Sequence, residues 1–511
     1  MTALIIHGHF YQPPRENPWT GKVEREPGAY PYHDWNERIH DECYGPNAFA
    51  HIVGENNRIE QTGNNYAHIN FNFGPTLLSW LESHHPKTYR RILQADRDSA
   101  RERDGHGNAI AQAYGHAILP LGNERDARTQ VLWGLADFRH HFGREAEALW
   151  LPETACDTAT LDLLIEQGLR YVILAPVQAE RYCTNFGQWH SVADGRIDTA
   201  RAYRHTHRDG SRRSIAVFFY DGPLSRAIAF EKALSSSGSL VQMFKRAGDR
   251  GPMVNVATDG ETYGHHFKFG DLCLAHALEV EAKEQGFWLT NYGQFLDQYP
   301  PEFEVEIKKG ADGEGTSWSC AHGVGRWIRD CGCHTGGEPG WNQKWRVPLR
   351  TALDFLRDDA ARQFETIGGD LFFDPWAARD AYVELMLDHG RSRDRFLEIQ
   401  TKRELAPPDQ VRALTLLELQ RNALLMFTSC GWFFSEISGI ETVQIMKYAA
   451  RAIELMDELG LPSPRAHFLE ILAEAHSNIP ENGNGADVYL RFAEPPVVFA
   501  PFAVETKPTL S

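Results

Sequence analysis

Hydrophobic residues in the first 260 positions occur in short runs, and each run precedes a polar or glycine-containing turn and then a stretch with helical periodicity. This alternation is typical of β/α units, in which helices connect parallel strands. It predicts about seven strands, at 4–6, 69–73, 110–114, 148–150, 171–174, 215–219 and 253–257. Helices are predicted between them, for example at 125–142 and at 157–167, where Asp157 is placed to cap the second.

Polar side chains cluster just after these runs, which favours a closed barrel over an open sheet. Catalytic groups in parallel barrels lie at the C-terminal ends of the strands, whereas an open doubly wound sheet concentrates its ligands at one switch point. The residues at run ends are His7, His9, His116, Glu153, Asp221, Asp259 and Glu261. The predicted fold is therefore α/β, with a seven-stranded parallel β/α barrel.

The sequence changes character after about residue 300, where Pro300 and Pro301 close the β/α pattern. A glycine-rich segment with cysteines and tryptophans follows, and then helical stretches, notably 411–427 and 441–459. We expect a catalytic domain at 1–300, a Cys/Trp/Gly-rich loop over the site at 301–345, an α-helical domain at 346–480, and a C-terminal strand or tail at 481–511.

Composition and charge narrow the class of function. The chain has 511 residues, 42% of them hydrophobic and 24% charged, as in an ordinary globular protein. A net charge of −17 argues against nucleic acid or an anionic membrane as partner. We see no signal peptide, no stretch of about 20 apolar residues and no phosphate-binding glycine loop. Eight cysteines are too sparse for a disulfide scaffold, so a cytoplasmic location is expected.

Two carboxylates at strand ends suggest glycoside chemistry. A retaining glycosidase needs two carboxyl groups about 5–5.5 Å apart, one to attack the anomeric carbon and one to protonate the leaving oxygen. Glu153 follows the fourth run, with Trp150 near enough to stack on a sugar, and Asp259 ends the seventh. The alternative is that each acid only caps a helix.

Four ordered motifs make the chain similar to glycoside hydrolase family 57, over about residues 3 to 330. They are His7-Gly8-His9 followed by Gln12-Pro13, then Gly122-Asn123-Glu124, Trp150-Leu151-Pro152-Glu153 and Asp259-Gly260-Glu261. The resemblance implies a distorted seven-stranded barrel, α-glucan substrates and no cofactor. It also implies that Glu153 is the nucleophile, that Asp259 is the acid/base, and that His7 and His9 donate hydrogen bonds to the sugar.

Two features depart from the common form of this family. Phe10 and Tyr11 lengthen the spacing between His9 and Gln12. The segment 424–450 resembles a helical domain of unknown function that follows the barrel in one branch. The substrate, the choice between hydrolysis and transfer (4-α-glucanotransferase or branching activity), and the oligomeric state stay open.

Further residues are expected to contact an oligo- or polysaccharide. Period-2 spacing turns His7 and His9 to one face of a strand. His265 and His266 are adjacent and, if extended, at most one should reach the site. The remaining expected contacts are His116, Trp150, Asp221, Glu261, Trp318, His322 and Trp327, where the tryptophans could equally be core residues.

Two alternatives come from other classes of protein. A zinc-dependent hydrolase, such as a deacetylase or a mannosidase-like enzyme, would use His7, His9 and a strand-end carboxylate. A non-catalytic carbohydrate-binding protein would need the aromatic residues but no matched carboxylates. Separately, Cys320, Cys331, Cys333 and His334, with His322 nearby, could hold a structural zinc ion or a redox pair, although their spacing is not a standard one.

Overall fold

The structure is a computed structural model that describes residues 1–54 and 58–494. The strands are β1 (Ala3–Phe10), β2 (His51–Val53), β3 (Ile59–Thr62), β4 (Asn70–Phe73), β5 (Ala111–Gln112), β6 (Leu149–Trp150), β7 (Tyr171–Leu174), β8 (Ala179–Cys183), β9 (Trp189–Ser191), β10 (Ala202–Thr206), β11 (Ser214–Phe219), β12 (Met253–Asp259), β13 (Trp288–Leu289) and β14 (Phe303–Ile307). Each of the seven predicted runs overlaps one of these strands.

The α-helices of the first 300 residues lie between these strands. They are α1 (Trp35–Ile39), α2 (Gly45–Ala48), α3 (Pro75–His84), α4 (Pro86–Glu102), α5 (Glu124–Phe142), α6 (Thr158–Glu166), α7 (Gly222–Phe230), α8 (Ser237–Gly248), α9 (Gly270–His276), α10 (Ala282–Glu284) and α11 (Tyr292–Gln298). The predicted helix starts are observed: Asp157 accepts a hydrogen bond from the Thr160 amide at 2.8 Å, and Asn123 accepts one from the Asp126 amide at 2.8 Å.

Strand β1 is the centre of the first sheet. It pairs in parallel with β12, β4 and β13, and all eight of its residues are buried. A strand buried on both faces reads as a continuous apolar run, as expected for a parallel sheet covered on both sides. Strands β5 and β6 form a separate parallel pair.

A second, larger sheet has the strand order β7-β11-β10-β14-β8-β9 and mixes parallel with antiparallel pairs. The single seven-stranded parallel barrel is therefore not confirmed, because the predicted strands are divided among smaller sheets. Strands β8, β9, β10 and β14 were missed. In β8 and β9, at one end of this sheet, most residues are exposed or half-buried, so these strands carry no apolar run.

The described chain from residue 346 to residue 494 is mostly helical. Its α-helices are α12 (Arg346–Leu371), α13 (Pro375–Leu387), α14 (Arg393–Gln400), α15 (Pro407–Leu425), α16 (Cys430–Phe433), α17 (Ile440–Glu458), α18 (Arg465–Leu472) and α19 (Gly485–Val488). Helices α15 and α17 overlap all but the last one or two residues of the two predicted helical stretches. They pack with α12 around a core that includes Leu353, Leu419 and Ile453.

Two boundaries differ from the expected domain plan. Strand β14 lies beyond residue 300 but belongs to the second sheet. The start of the expected C-terminal strand is helical instead, because Asn484 caps α19 by accepting from the amides of Ala486 and Asp487. Residues 495–511 lie outside the described part of the chain. No described helix is both long enough and apolar enough to cross a membrane.

Candidate active site

A cavity of about 440 Å³ opens where β1, β6 and β12 end, and the helical region covers its far side. Strands β1 and β12 contribute His9 and Asp259, the turn after β6 contributes Glu153, and the turn after β12 contributes Glu261. The helical region contributes Cys430, Phe433, Phe434, Ile440 and Glu441. Residues far apart in sequence thus build one site at the C-terminal ends of parallel strands, where catalytic groups of β/α folds lie.

Glu153 lies in a strained turn directly after β6. Its backbone has φ 58° and ψ 21°, a left-handed conformation that is uncommon for residues other than glycine. Its Oε2 atom accepts hydrogen bonds from Trp318 Nε1 at 3.0 Å and from the Ser319 hydroxyl at 2.5 Å. Burial raises the pKa of the Glu153 carboxyl, while these two donors oppose that rise by stabilising the carboxylate.

Asp259 is the last residue of β12, where it lies beside His9 of β1. The strand below it is buried, whereas its own side chain is open to the cavity. Loss of bulk water around the carboxyl, followed by the nearby negative charge of Glu153, raises the pKa of Asp259 to about 7. The negative charge of Glu153 thus favours the protonated form of Asp259.

Glu261 is buried in the turn that follows Asp259. Its Oε1 atom accepts hydrogen bonds from the Tyr11 amide at 3.0 Å and from the Tyr44 hydroxyl at 2.5 Å. Burial is the main cause that raises the pKa of Glu261 to about 8, and the charge of Asp259 adds to it. Tyr44 opposes the rise by donating to the carboxylate.

His7 and His9 lie on one buried face of β1, as the period-2 spacing predicts. Both imidazoles are within hydrogen-bonding distance of Asn72 Oδ1, at 3.1 Å and 3.3 Å. Burial lowers the pKa of each histidine to about 3, so both rings are neutral at ordinary pH. Of the two, His9 lines the cavity.

His116 links the histidine pair to the helical region. Its Nε2 lies 3.2 Å from His9 Nε2, and its Nδ1 lies 2.6 Å from the Ser429 hydroxyl. The ring also stacks on Tyr11 at a centroid distance of 3.7 Å. His116 thus contacts His9 and Tyr11, which line the cavity, but is not itself a lining residue.

Two predicted tryptophan platforms are core residues instead. Trp150 is 1% exposed and stacks beneath His7 and His9, so the imidazoles occupy its indole face. Trp327 is fully buried and donates from Nε1 to the Ser429 carbonyl at 3.2 Å. Trp318 is only half-buried, but its indole nitrogen is already bound to Glu153.

Two other expected substrate contacts lie elsewhere. Asp221 caps α7 by accepting from the Leu224 amide at 3.0 Å, and it pairs with Arg250, so its carboxylate has structural partners outside this cavity. His322 lies next to the thiols of Cys320, Cys331 and Cys333. Strand-end position alone could not reveal these partners, because they come from distant segments.

His265 and His266 both line the cavity, contrary to the expectation that at most one would. The expectation assumed an extended backbone. Instead both backbone amides donate to the Glu261 carbonyl, at 3.0 Å and 2.9 Å, which curls the chain after the turn. His265 also pairs with Glu42.

Several lining residues were not predicted. Tyr11 and Trp35 come from the N-terminal part of the chain, while Phe433 and Phe434 come from the helical region. The motif Cys430-Gly431-Trp432-Phe433-Phe434 is a cluster of aromatic residues that could have drawn attention to this segment. Its position over a site whose lining residues outside the helical region are more than 160 positions away in sequence could not be predicted from local pattern.

The zinc-hydrolase alternative gains no support from His7 and His9. Within residues 1–54 and 58–494, two groups of three or more ligand-type side chains lie within 4.8 Å of one another, and neither contains these histidines. One group is Cys320, His322, Cys331 and Cys333. His334 is not in it and lies 3.3 Å from the Gly336 carbonyl instead. All eight cysteines lie in the described residues, and none forms a disulfide.

Comparison with known proteins locates the chain in a family. The model of glycosyl hydrolase family 57 matches residues 3–308, and that of a domain of unknown function (DUF3536) matches residues 341–504. Alpha-amylase 1 of Dictyoglomus thermophilum is 25% identical over 107 residues, which are 21% of this chain and 15% of that protein. The aligned part thus spans a small fraction of this relative.

Solved structures show the same fold at low sequence identity. An exo-type maltose-forming amylase from Pyrococcus sp. ST04 has a TM-score of 0.67 at 16% identity, covering 92% of this chain and 82% of that one. A branching enzyme of the same family from Pyrococcus horikoshii has a TM-score of 0.54 at 15% identity, covering 97% and 98%. Since the family model matches more than half of its length, this chain belongs to glycosyl hydrolase family 57.

Proposed function

We propose that this chain is a retaining enzyme that acts on α-linked glucans, with Glu153 as nucleophile and Asp259 as acid/base. One observation carries the proposal: carboxyl groups from the ends of two separate strands line one cavity, and the charge of Glu153 adds to the burial that raises the pKa of Asp259. A carboxylate that keeps a neighbouring carboxyl group protonated is a recurring feature of acid/base sites.

The proposed reaction is a double displacement. Both donors to Glu153 contact Oε2, which leaves Oε1 available to attack the anomeric carbon. Protonated Asp259 gives its proton to the leaving glycosidic oxygen, and a covalent glycosyl-enzyme forms on Glu153. Asp259, now ionised, then takes a proton from the acceptor hydroxyl as that oxygen displaces Glu153.

The charge state of the surrounding residues supports this chemistry. His9 lines the cavity as a neutral imidazole, so it places no positive charge beside Asp259. Burial, and then the negative charge of Asp259, raises the pKa of Glu261 to about 8, so Glu261 stays protonated while Asp259 titrates. The substrate is neutral, which fits a chain with a net charge of −17.

The acceptor in the second step is either water or another sugar. Names of the similar solved structures include both an amylase and a branching enzyme. Hydrolysis and transfer share the covalent intermediate and differ in the shape of the acceptor side. In this chain Phe433, Phe434 and Ile440 make one wall of the cavity apolar, which favours a sugar acceptor over free water.

For the architecture, we propose that seven strands form a distorted parallel barrel. Support comes from two isolated parallel bridges. Phe71 of β4 pairs with Ala109, just before β5, and Ala148, just before β6, pairs with Tyr171 of β7. The Asp221 amide, just past β11, donates to the Asn255 carbonyl of β12 at 2.8 Å.

We place the end of the catalytic domain after β14, near residue 308, and keep the helical domain at 346–480. A cytoplasmic location stays a prediction.

The proposal is tested by incubating the protein with a panel of α-linked glucans, galactosides and mannosides and resolving the products by size. We expect turnover of α-glucans that is lost in Glu153→Gln and in Asp259→Asn. Glu180→Gln, at an exposed position of β8, is the matched control and should retain activity. Unchanged activity in both active-site variants would exclude the two-carboxylate mechanism. Binding of glucans without any turnover would instead support a carbohydrate-binding protein.

A further inference from the structure

We propose that Cys320, His322, Cys331 and Cys333 bind one structural zinc ion, which holds the segment that presents Trp318 and Ser319 to Glu153. The four side chains come from a glycine-rich stretch between β14 and α12. This site is separate from the active-site cavity, none of whose lining residues it shares.

Two of the six distances among the four ligand atoms match those around a tetrahedral zinc ion, and the other four are below 4.8 Å. The sulfur atoms of Cys320 and Cys331 are 3.8 Å apart, and Cys333 Sγ is 3.5 Å from His322 Nδ1. All four ligand atoms lie within 4.8 Å of one another. A zinc ion with Zn–S distances of about 2.3 Å and Zn–N distances of about 2.0–2.1 Å requires S···S edges of about 3.8 Å and S···N edges of about 3.6 Å.

Three cysteines and one histidine make a closed ligand set, which is typical of structural rather than catalytic zinc.

A buried guanidinium provides charge balance. Three thiolates, one neutral imidazole and Zn²⁺ sum to a single negative charge. Arg346 is fully buried at the start of α12 and donates from Nη1 to the Cys333 carbonyl at 2.8 Å. Its Nε and Nη2 atoms have no hydrogen-bond partner among the described residues. A buried charge requires an opposite charge nearby, and an anionic metal cluster beside Arg346 meets that requirement.

The segment has little regular structure for a cross-link to compete with. Between Ile307 and Arg346, all within the described chain, the only helical elements are three-residue turns at Ala311–Gly313 and Gly325–Trp327. Apolar side chains such as Val324 and Trp327 are buried in the core of the helical region, but few backbone hydrogen bonds of a helix or strand order the loop. Structural zinc adds folding free energy by joining residues that are distant along the loop.

The position of the ligands gives the ion a role in the active site. Cys320 directly follows Ser319 and Trp318, whose side chains both donate to Glu153. On the other side, Arg326 donates to the Phe433 carbonyl at 3.0 Å. Fixing this loop therefore fixes both the donors to Glu153 and the loop's contact with the helical region.

The test is metal analysis of the full chain purified from zinc-supplemented cells. We expect one zinc per chain, and substantially less in Cys331→Ser and in His322→Ala. Cys183→Ser, at a half-buried cysteine outside the cluster, is the matched control and should keep the metal. X-ray absorption at the zinc edge should give three sulfur neighbours and one nitrogen neighbour.

A second measurement uses the wild-type chain, in case the variants fail to fold. Removal of zinc with a strong chelator should lower Tm, and added Zn²⁺ should restore it. Wild-type protein without stoichiometric zinc after supplementation, or a Cys320–Cys331 disulfide in its place, would overturn the proposal. So would undiminished zinc in both ligand variants.

The zinc proposal and the proposed catalytic function can fail separately. Glu153→Gln should lose turnover while retaining one zinc per chain. Zinc binding with unchanged turnover in Glu153→Gln and Asp259→Asn would contradict the catalytic assignment alone.

Discussion

The indole Nε1 of Trp318 donates a 3.0 Å hydrogen bond to Oε2 of Glu153, although the two residues are 165 positions apart. The next residue, Ser319, donates to the same oxygen. The carboxylate at the end of β6 is therefore held by a loop that follows the second sheet. Substitutions in this loop should therefore change the ionisation of Glu153.

Trp318→Phe should lower kcat/KM by about 10- to 100-fold, since a hydrogen bond to a charged group contributes about 1.5–3 kcal/mol. Loss of a donor to the carboxylate raises the pKa of Glu153, so the acidic limb of the pH profile should move to higher pH. Trp341→Phe, in the same loop segment, is the control. An acidic limb that stays in place would show that this bond does not stabilise the ionised form.

Azide should distinguish the roles of the two carboxylates. Glu153→Ala cannot form the covalent intermediate, but azide can enter the space left by the carboxylate and attack an activated substrate, giving a product of inverted configuration. Asp259→Ala still forms the intermediate from substrates with good leaving groups, so azide should give a retained product. Product configuration is read by NMR. Reversed configurations would exchange the two roles.

The ionisation of Asp259 should depend on Glu153. Its pKa of about 7 predicts that kcat/KM falls as pH rises through about 7, because the proton donor is lost. Removing the charge of Glu153 in Glu153→Gln should lower the pKa of Asp259, though burial keeps it above its ordinary value. Carboxyl ¹³C NMR or infrared titration measures this directly. An identical titration in wild type and variant would contradict the coupling.

Glu261 should make the fold less stable as pH rises. Its pKa in the folded chain is about 8 against 4.5 when unperturbed, so the folded state binds more protons between these values. Stability then falls from about pH 5 to about pH 8. Glu261→Gln, whose amide oxygen can still accept from Tyr11 and Tyr44, should remove this dependence and gain roughly 2–4 kcal/mol relative to wild type at pH 8.

Denaturant unfolding at pH 5 and pH 8 measures that difference. The pKa of Asp259 is also raised in the folded chain, so Asp259 adds its own loss of stability as pH rises, and this part should remain in Glu261→Gln. Asp259→Asn is the matched comparison, because it should remove the Asp259 part and keep the Glu261 part. Equal stability differences between wild type and Glu261→Gln at both pH values would show that Glu261 is ionised throughout.

Phe434 is expected to contact a sugar bound on the helical side. Phe434→Ala should raise KM for longer glucans by about 2- to 10-fold, as expected for one aromatic contact. Unfolding stability should change little, because Phe434 is 39% exposed. Phe373→Ala, at an exposed phenylalanine that does not line the cavity, should leave KM unchanged. Equal KM values in both variants would remove Phe434 from the substrate path.

Local pattern was enough to identify the strands that carry the proposed catalytic pair. Strands β6 and β12 are buried on both faces up to their ends, so each appears as an apolar run that a polar residue follows. Asp157 could likewise be recognised as a cap, because a cap bonds to amides two or three residues away. These interactions lie within a few residues of one another.

Strand-end position did not distinguish Asp221 from Asp259. Both follow strands, but Asp221 meets Arg250 and the start of α7, whereas Asp259 faces the cavity. The antiparallel strands of the second sheet were also missed, since their pairing with distant partners is not encoded in an apolar run. The partner of a polar group is set by the path of the whole chain.

The Cys/His segment shows most clearly what the sequence determines and what depends on the tertiary structure. Sequence alone determined which chemistry was available there: thiols and imidazoles that can bind a soft metal. It favoured His334 as the histidine of the set, yet the tertiary structure brings His322 to the three thiols. Side-chain chemistry is a property of each residue, whereas a ligand set requires distances of a few ångströms that only the folded backbone decides.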